Sequence, residues 1–136
     1  MKLIMRRLLF LTVFTILLSC EDQRWFTNCS DCFANEPESA ELLVKLSATD
    51  LPVVVTVFEG ELEDSIVYFI NETRLTEYSI NVGLNKKYTL TAIYIKGNET
   101  YTAVDSSVPK VRYTEDKCES ACYYVYDRIV DLRLRY

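Results

Sequence analysis

From residue 40 onward, apolar and polar positions alternate with the period of two that marks a strand with one buried face. Leu42, Val44, Leu46 and Ala48 share one parity against Leu43, Lys45 and Ser47, and Asp50, Leu51 and Pro52 form the turn that stops the run. Val53 to Phe58 is rich in β-branched residues and closes at Glu59, Gly60 and Glu61. Ser65 to Ile70 predicts a third strand, ended by Asn71 and Glu72. The cleanest alternation sets Tyr78, Ile80 and Val82 against Glu77, Ser79 and Asn81; Gly83 to Lys86 then turns the chain into Tyr88, Leu90, Ala92 and Tyr94. Gly97 and Asn98 predict a hairpin into Tyr101 to Val104. A short Val108 to Tyr113 segment follows, then a terminal run from Ala121 to Tyr136 whose apolar parity breaks at Arg128, predicting a bend or bulge near Asp127. No helical stripe of three or more turns occurs. The pattern therefore predicts one all-β domain over residues 40–136, an antiparallel sandwich of about seven strands.

Within this domain, Val82, Gly83, Leu84, Asn85, Lys86, Lys87, Tyr88, Thr89 and Leu90 resemble the stretch between strands E and F of immunoglobulin-like domains of the fibronectin type III and prealbumin-like kinds. The resemblance implies an immunoglobulin-like sandwich. It also implies a tyrosine corner, in which the Tyr88 hydroxyl ties back to the loop backbone.

The first 39 residues follow a different pattern. Lys2, Arg6 and Arg7 precede an apolar run from Leu8 to Leu18 interrupted only by Thr12 and Thr15, a basic n-region and a short h-region. A membrane-spanning helix needs about 20 apolar residues, and this run ends sooner, at Glu21 and Asp22. The box Leu17, Leu18, Ser19, Cys20 resembles a bacterial lipoprotein signal. That resemblance implies cleavage after residue 19, acylation of Cys20 and attachment to a membrane through lipid. Glu21 and Asp22 resemble the acidic patch behind the lipidated cysteine of lipoproteins of the Bacteroides and Flavobacterium group, which implies outer-membrane anchoring facing the cell surface. Residues 20–39 sustain no period and read as a lipidated tether and strap, with Trp25 and Phe26 as an aromatic pair in polar surroundings.

Charge and cysteine content narrow the chemistry. The chain carries a formal charge of −5, and removal of the three leader cations makes the remainder more acidic still, which opposes nucleic acid and bare anionic lipid as partners. After Cys20, four cysteines remain: Cys29 and Cys32 in the strap, Cys118 and Cys122 ahead of the terminal run. Outside the cytoplasm an even number favours disulfides, and four cysteines allow three pairings. We expect strap-to-domain links, with the choice between the two such pairings open. A C-x-x-C redox motif would need a helix after Cys32, which Asn35 and Pro37 oppose. A four-thiolate zinc site would compete with disulfides under oxidising conditions, so no metal and no cofactor is expected.

There is no histidine, hence no Ser-His-Asp set and no H-E-x-x-H motif, and the carboxylates Glu59, Glu61, Glu63 and Asp64 cluster on a turn where solvated charge is the ordinary reading. No enzymatic activity is expected. Ten tyrosines fall on both parities of their strands, so some rings face outward. Trp25, Tyr101 and Tyr123 are the candidate members of an exposed aromatic platform for protein or glycan. Asp64, Ser65 and Ile66 resemble the tripeptide at which extracytoplasmic proteins of the Bacteroides group are O-glycosylated, making Ser65 a candidate. The expected function is that of a non-catalytic cell-envelope lipoprotein presenting a β-sandwich to a surface protein or glycan. The alternative is a structural or assembly subunit of a surface complex or fimbria-like fibre, which would show a bare strand edge in place of an aromatic platform.

Overall fold

The computed structural model describes residues 29–135, so the leader, Cys20, the acidic pair and Trp25 lie outside the described residues. Nine strands run through them: β1 Ser39–Lys45, β2 Val53–Glu59, β3 Val67–Thr73, β4 Glu77–Gly83, β5 Tyr88–Lys96, β6 Glu99–Ser107, β7 Lys110–Thr114, β8 Cys122–Tyr126 and β9 Ile129–Asp131. They form a three-stranded sheet in the order β4-β1-β9, a four-stranded sheet in the order β3-β2-β5-β6, and a separate β7–β8 hairpin. The first two sheets make an all-β sandwich.

The alternation seen in the sequence becomes the inner faces of these sheets. Leu42 and Val44 of β1, Val82 of β4 and Val130 of β9 meet Val55 and Val57 of β2 and Leu90 of β5, all essentially without exposure. Each such side chain contributes roughly 1.5–3 kcal/mol by leaving water. Two tyrosines tie the layers together. The Tyr94 hydroxyl, fully buried on β5, donates to the Leu132 carbonyl at 2.8 Å and accepts from the Ser47 amide at 3.1 Å, joining the ends of β1 and β9 to the opposite sheet. The Tyr88 hydroxyl accepts from the Gly83 amide at 3.0 Å, forming the corner between β4 and β5 that the sequence resemblance implies.

The β5–β6 hairpin closes through two residues only, Gly97 and Asn98, with Lys96 opposite Glu99. Gly97 has φ +61°, the left-handed conformation that glycine enters without a Cβ penalty.

Three local expectations shift. The third strand begins at Val67 and continues through Asn71 and Glu72 to Thr73, because the ladder with β2 extends to the Val53–Thr73 pair and overrides turn propensity. Ser65 instead sits at φ +54° and ends a 3-10 turn over Leu62–Asp64. The first strand stops at Lys45, so Ala48 is exposed beyond it. The terminal run is not one bent strand: at Asp127, with φ +54°, it splits into β8 in the hairpin and β9, which joins the three-stranded sheet parallel to β1.

That break positions the hairpin relative to the sandwich. The Asp127 carboxylate accepts from the Val108 amide at 2.9 Å, and the Ser107 hydroxyl donates to the Asp127 carbonyl, so the two chain segments linking hairpin to sandwich are fastened to each other. Beyond the bend, Asp131 bonds Arg133, which holds its carboxyl well below the usual carboxylate range.

Candidate functional site

The hairpin has two unlike faces, because successive strand residues point to opposite sides. Cys122 and Tyr124 of β8 and Thr114 of β7 face inward and are buried. Arg112 lies opposite Tyr124 and 5.0 Å over the Tyr126 ring, and hydrogen bonding to Tyr124 raises its pKa. The outward parity carries Val111 and Tyr113 on β7 with Val125 and Tyr123 on β8.

The strap docks on the free edge of β8. After a 3-10 turn over Cys29–Asp31, Phe33 pairs antiparallel with Tyr123 through two backbone hydrogen bonds, both 2.8 Å. Disulfides Cys29–Cys118 and Cys32–Cys122, with Cα separations of 5.7 and 5.6 Å, hold it there, and Asp31 pairs with Arg128 at 2.5 Å. The strap-to-domain linkage expected from the sequence is thus present, and of the two pairings left open this is the one formed. The sulfurs of Cys32, Cys118 and Cys122 lie within 4.8 Å of one another, but as disulfides they offer no thiolate to a metal.

Because Phe33, Tyr123 and Tyr113 occupy directly opposed positions on three neighbouring segments, their side chains leave the same face in one row. Phe33 is 44% exposed and Tyr113 is 49% exposed, with Tyr123 half-buried between them. The Tyr113 and Tyr123 ring centroids are 5.0 Å apart at an interplanar angle of 52°. Three aromatic rings held on a doubly cross-linked frame offer a large apolar contact surface and two hydroxyls that need little ordering on binding.

Of the residues singled out in the sequence, Tyr123 is at the centre of this row. Tyr101 is elsewhere: it faces Tyr94 across the β5–β6 ladder, packs half-buried against the core and donates its hydroxyl to Glu99. Phe33 and Tyr113 were not anticipated. Phe33 was legible in part, since Cys32 must point toward its disulfide partner and the next residue must then point away. Nothing local marks Tyr113, whose role depends on the register of β7 against β8.

Ser65 is exposed in the turn ahead of β3. Around that turn Glu59 pairs with Lys86 at 3.0 Å and Glu61 with Lys87 at 2.6 Å, while the Asp64 carboxylate accepts from the Glu61 amide. Glu59, Glu61 and Asp64 are thus each engaged separately, with lysines or with the backbone. The chain matches no family model, no curated protein and no solved structure.

Proposed function

We propose that this chain is a non-catalytic cell-envelope lipoprotein whose strap–hairpin unit binds a surface protein or glycan through the row Phe33–Tyr123–Tyr113. The observation that carries this reading is the row itself: three half-exposed aromatic side chains, Phe33 of the strap beside two tyrosines of a hairpin about 80 to 90 residues further on, held side by side by two disulfides. An apolar surface kept rigid in this way, with Phe33 and Tyr113 each more than two-fifths exposed, suits a ligand that stacks on flat faces. Disulfides in both positions accord with an extracytoplasmic setting.

A lipid on Cys20 would put this surface near the membrane. Nine peptide steps separate Cys20 from Cys29, each spanning at most about 3.3–3.6 Å, so the strap lies within roughly 30 Å of its attachment. The chain's acidic balance leaves the lipid as the membrane link.

The test is retention of surface extracts and arrayed glycans by the disulfide-intact domain, compared with Tyr123→Ala and Tyr113→Ala. Loss of a central aromatic anchor should weaken binding by about 1–2 kcal/mol or more while the fold is kept. Equal retention by wild type and both variants would remove the row from the account. The alternative reading, assembly through a strand edge, also has a specific observation behind it, and it concerns a different part of the molecule.

A further inference from the structure

The apolar run Ile66, Val67, Tyr68, Phe69, Ile70 is the longest exposed hydrophobic stretch among the described residues, with exposures of 59, 51, 45, 40 and 60%. A sequence of this kind ordinarily occupies the middle of a sheet. Here it forms or adjoins β3, the end strand of the four-stranded sheet, whose outer edge pairs with no other strand among the described residues. An unpaired edge presents a row of main-chain donors and acceptors, and folded proteins usually guard such edges with charge, proline or a covering segment.

The other edges among the described residues carry a charge, a crossing contact or a covering segment. On β4 the Asn81 carbonyl accepts from the Tyr68 hydroxyl at 3.2 Å. The edges of β6 and β9 meet where Asp105 accepts from the Asp131 amide at 2.8 Å. In the hairpin, β8 is covered by Phe33, and β7 carries Lys110 and Arg112. On β3, by contrast, residues 66–71 include no charged side chain, and the outer face beside them continues through Thr56 and Thr91 to Val104, 54% exposed, without one.

We propose that a second copy of this chain pairs antiparallel along β3, joining two four-stranded sheets into one of eight strands across a two-fold axis. Charge selects this edge, and the register admits this occupant. The chain has a formal charge of −5, so two copies meeting through most other surfaces would oppose carboxylates, whereas this strand offers an uncharged contact. The register is self-complementary as well. The β2–β3 ladder slips once, at Tyr68, whose ring turns toward Tyr88 with centroids 5.4 Å apart; from Phe69 to Thr73 it is regular. A two-fold axis at Asn71, the middle of that stretch, sets each Glu72 opposite the other copy's Ile70 and never opposite Glu72. Because each copy has one unguarded edge, association closes at two and does not propagate into a fibre. The strand is short, so the interface belongs with the smaller, concentration-dependent ones, below about 1,200 Å² in total.

The experiment is sedimentation analysis of the disulfide-intact domain from about 1 to 200 µM, a range that spans weak specific association. Wild type should move from monomer to dimer and no further. Ile70→Glu, which sets a carboxylate opposite the other copy's Glu72, should shift the midpoint at least tenfold upward with unchanged circular dichroism. Val104→Lys on β6, and Tyr123→Ala in the aromatic row, should dimerise as wild type does. A monomeric wild type throughout the range would overturn the proposal. So would species larger than dimers, or dimers insensitive to Ile70→Glu but lost in Val104→Lys, the sign of face-to-face stacking. Because Tyr123→Ala reads out ligand binding separately, failure of the dimer leaves the aromatic-row reading untouched.

Discussion

At the scale of single residues, the polar atoms inside this sandwich matter more than their number suggests. Tyr94 is the clearest case, since its hydroxyl satisfies both the Leu132 carbonyl and the Ser47 amide at the seam of the two sheets. Burial raises its pKa, so the group stays a neutral donor through ordinary conditions. Tyr94→Phe keeps the ring and its packing but strands two backbone groups, and we expect a loss of about 1–3 kcal/mol, measured by denaturant unfolding. A loss below about half a kcal/mol would mean that water reaches these groups. Tyr78 offers a contrast: its hydroxyl is buried and makes no hydrogen bond of good geometry, though Asn71 lies close, and burial raises its pKa. The molecule therefore contains both a satisfied and an unsatisfied tyrosine in one interior.

At the scale of elements, the strap and the β7–β8 hairpin act as a unit because two disulfides cross the same gap. Each spans a sequence separation near 90, 89 for Cys29–Cys118 and 90 for Cys32–Cys122. In the chain-entropy account a loop of that length contributes about 4–5 kcal/mol. The two loops are nearly the same loop, however, and once one bridge is closed the other closes a ring of only about seven residues, worth roughly 2 kcal/mol. Paired Cys→Ser replacement of either bridge alone should therefore cost about 2 kcal/mol, and of both about 7, a strongly non-additive series read from unfolding midpoints. Additive single losses of 4–5 kcal/mol would show that each bridge holds a separate part of the native structure.

At the scale of the whole molecule, the proposed anchor and the two proposed contacts fall on separate parts of the chain. The strap leads toward the proposed lipid, the aromatic row lies on the strap–hairpin unit, and the β3 edge belongs to the sandwich. Anchoring is a hypothesis motivated by the Leu17 to Cys20 box, and it makes a definite expectation: the membrane-extracted protein begins at Cys20 and carries acyl chains on that residue, while Cys20→Ser leaves the precursor uncleaved. Intact mass spectrometry decides it, and an unmodified chain with another terminus would detach the molecule from the membrane. An anchored pair joined through β3 would present two aromatic rows, and two linked sites bind a repetitive partner more tightly than one.

The sequence by itself determined what depends on neighbours in the chain. Period-two alternation marked β1, β4 and β5 and the core parity of Leu42, Val44, Leu90 and Tyr94, because side-chain direction in a strand is set locally, while β-branched content marked β2. Turn chemistry at Gly97 announced its hairpin, and the resemblance around Tyr88 implied its corner. Cysteine count and spacing pointed to a strap fastened to the domain, without choosing the partners. Only the tertiary structure decided which strands are neighbours. It sent β9 across to lie parallel to β1, drew Phe33 beside Tyr123 and Tyr113, packed Tyr101 half-buried against the core, and left the apolar β3 at an edge where its composition suggests a centre. Pairings between residues 80 to 90 positions apart follow from which faces can be buried together and which cysteines can meet, and both are properties of the closed chain: local propensity makes a strand, but the partner on either side of it decides whether its side chains become core, platform or open edge.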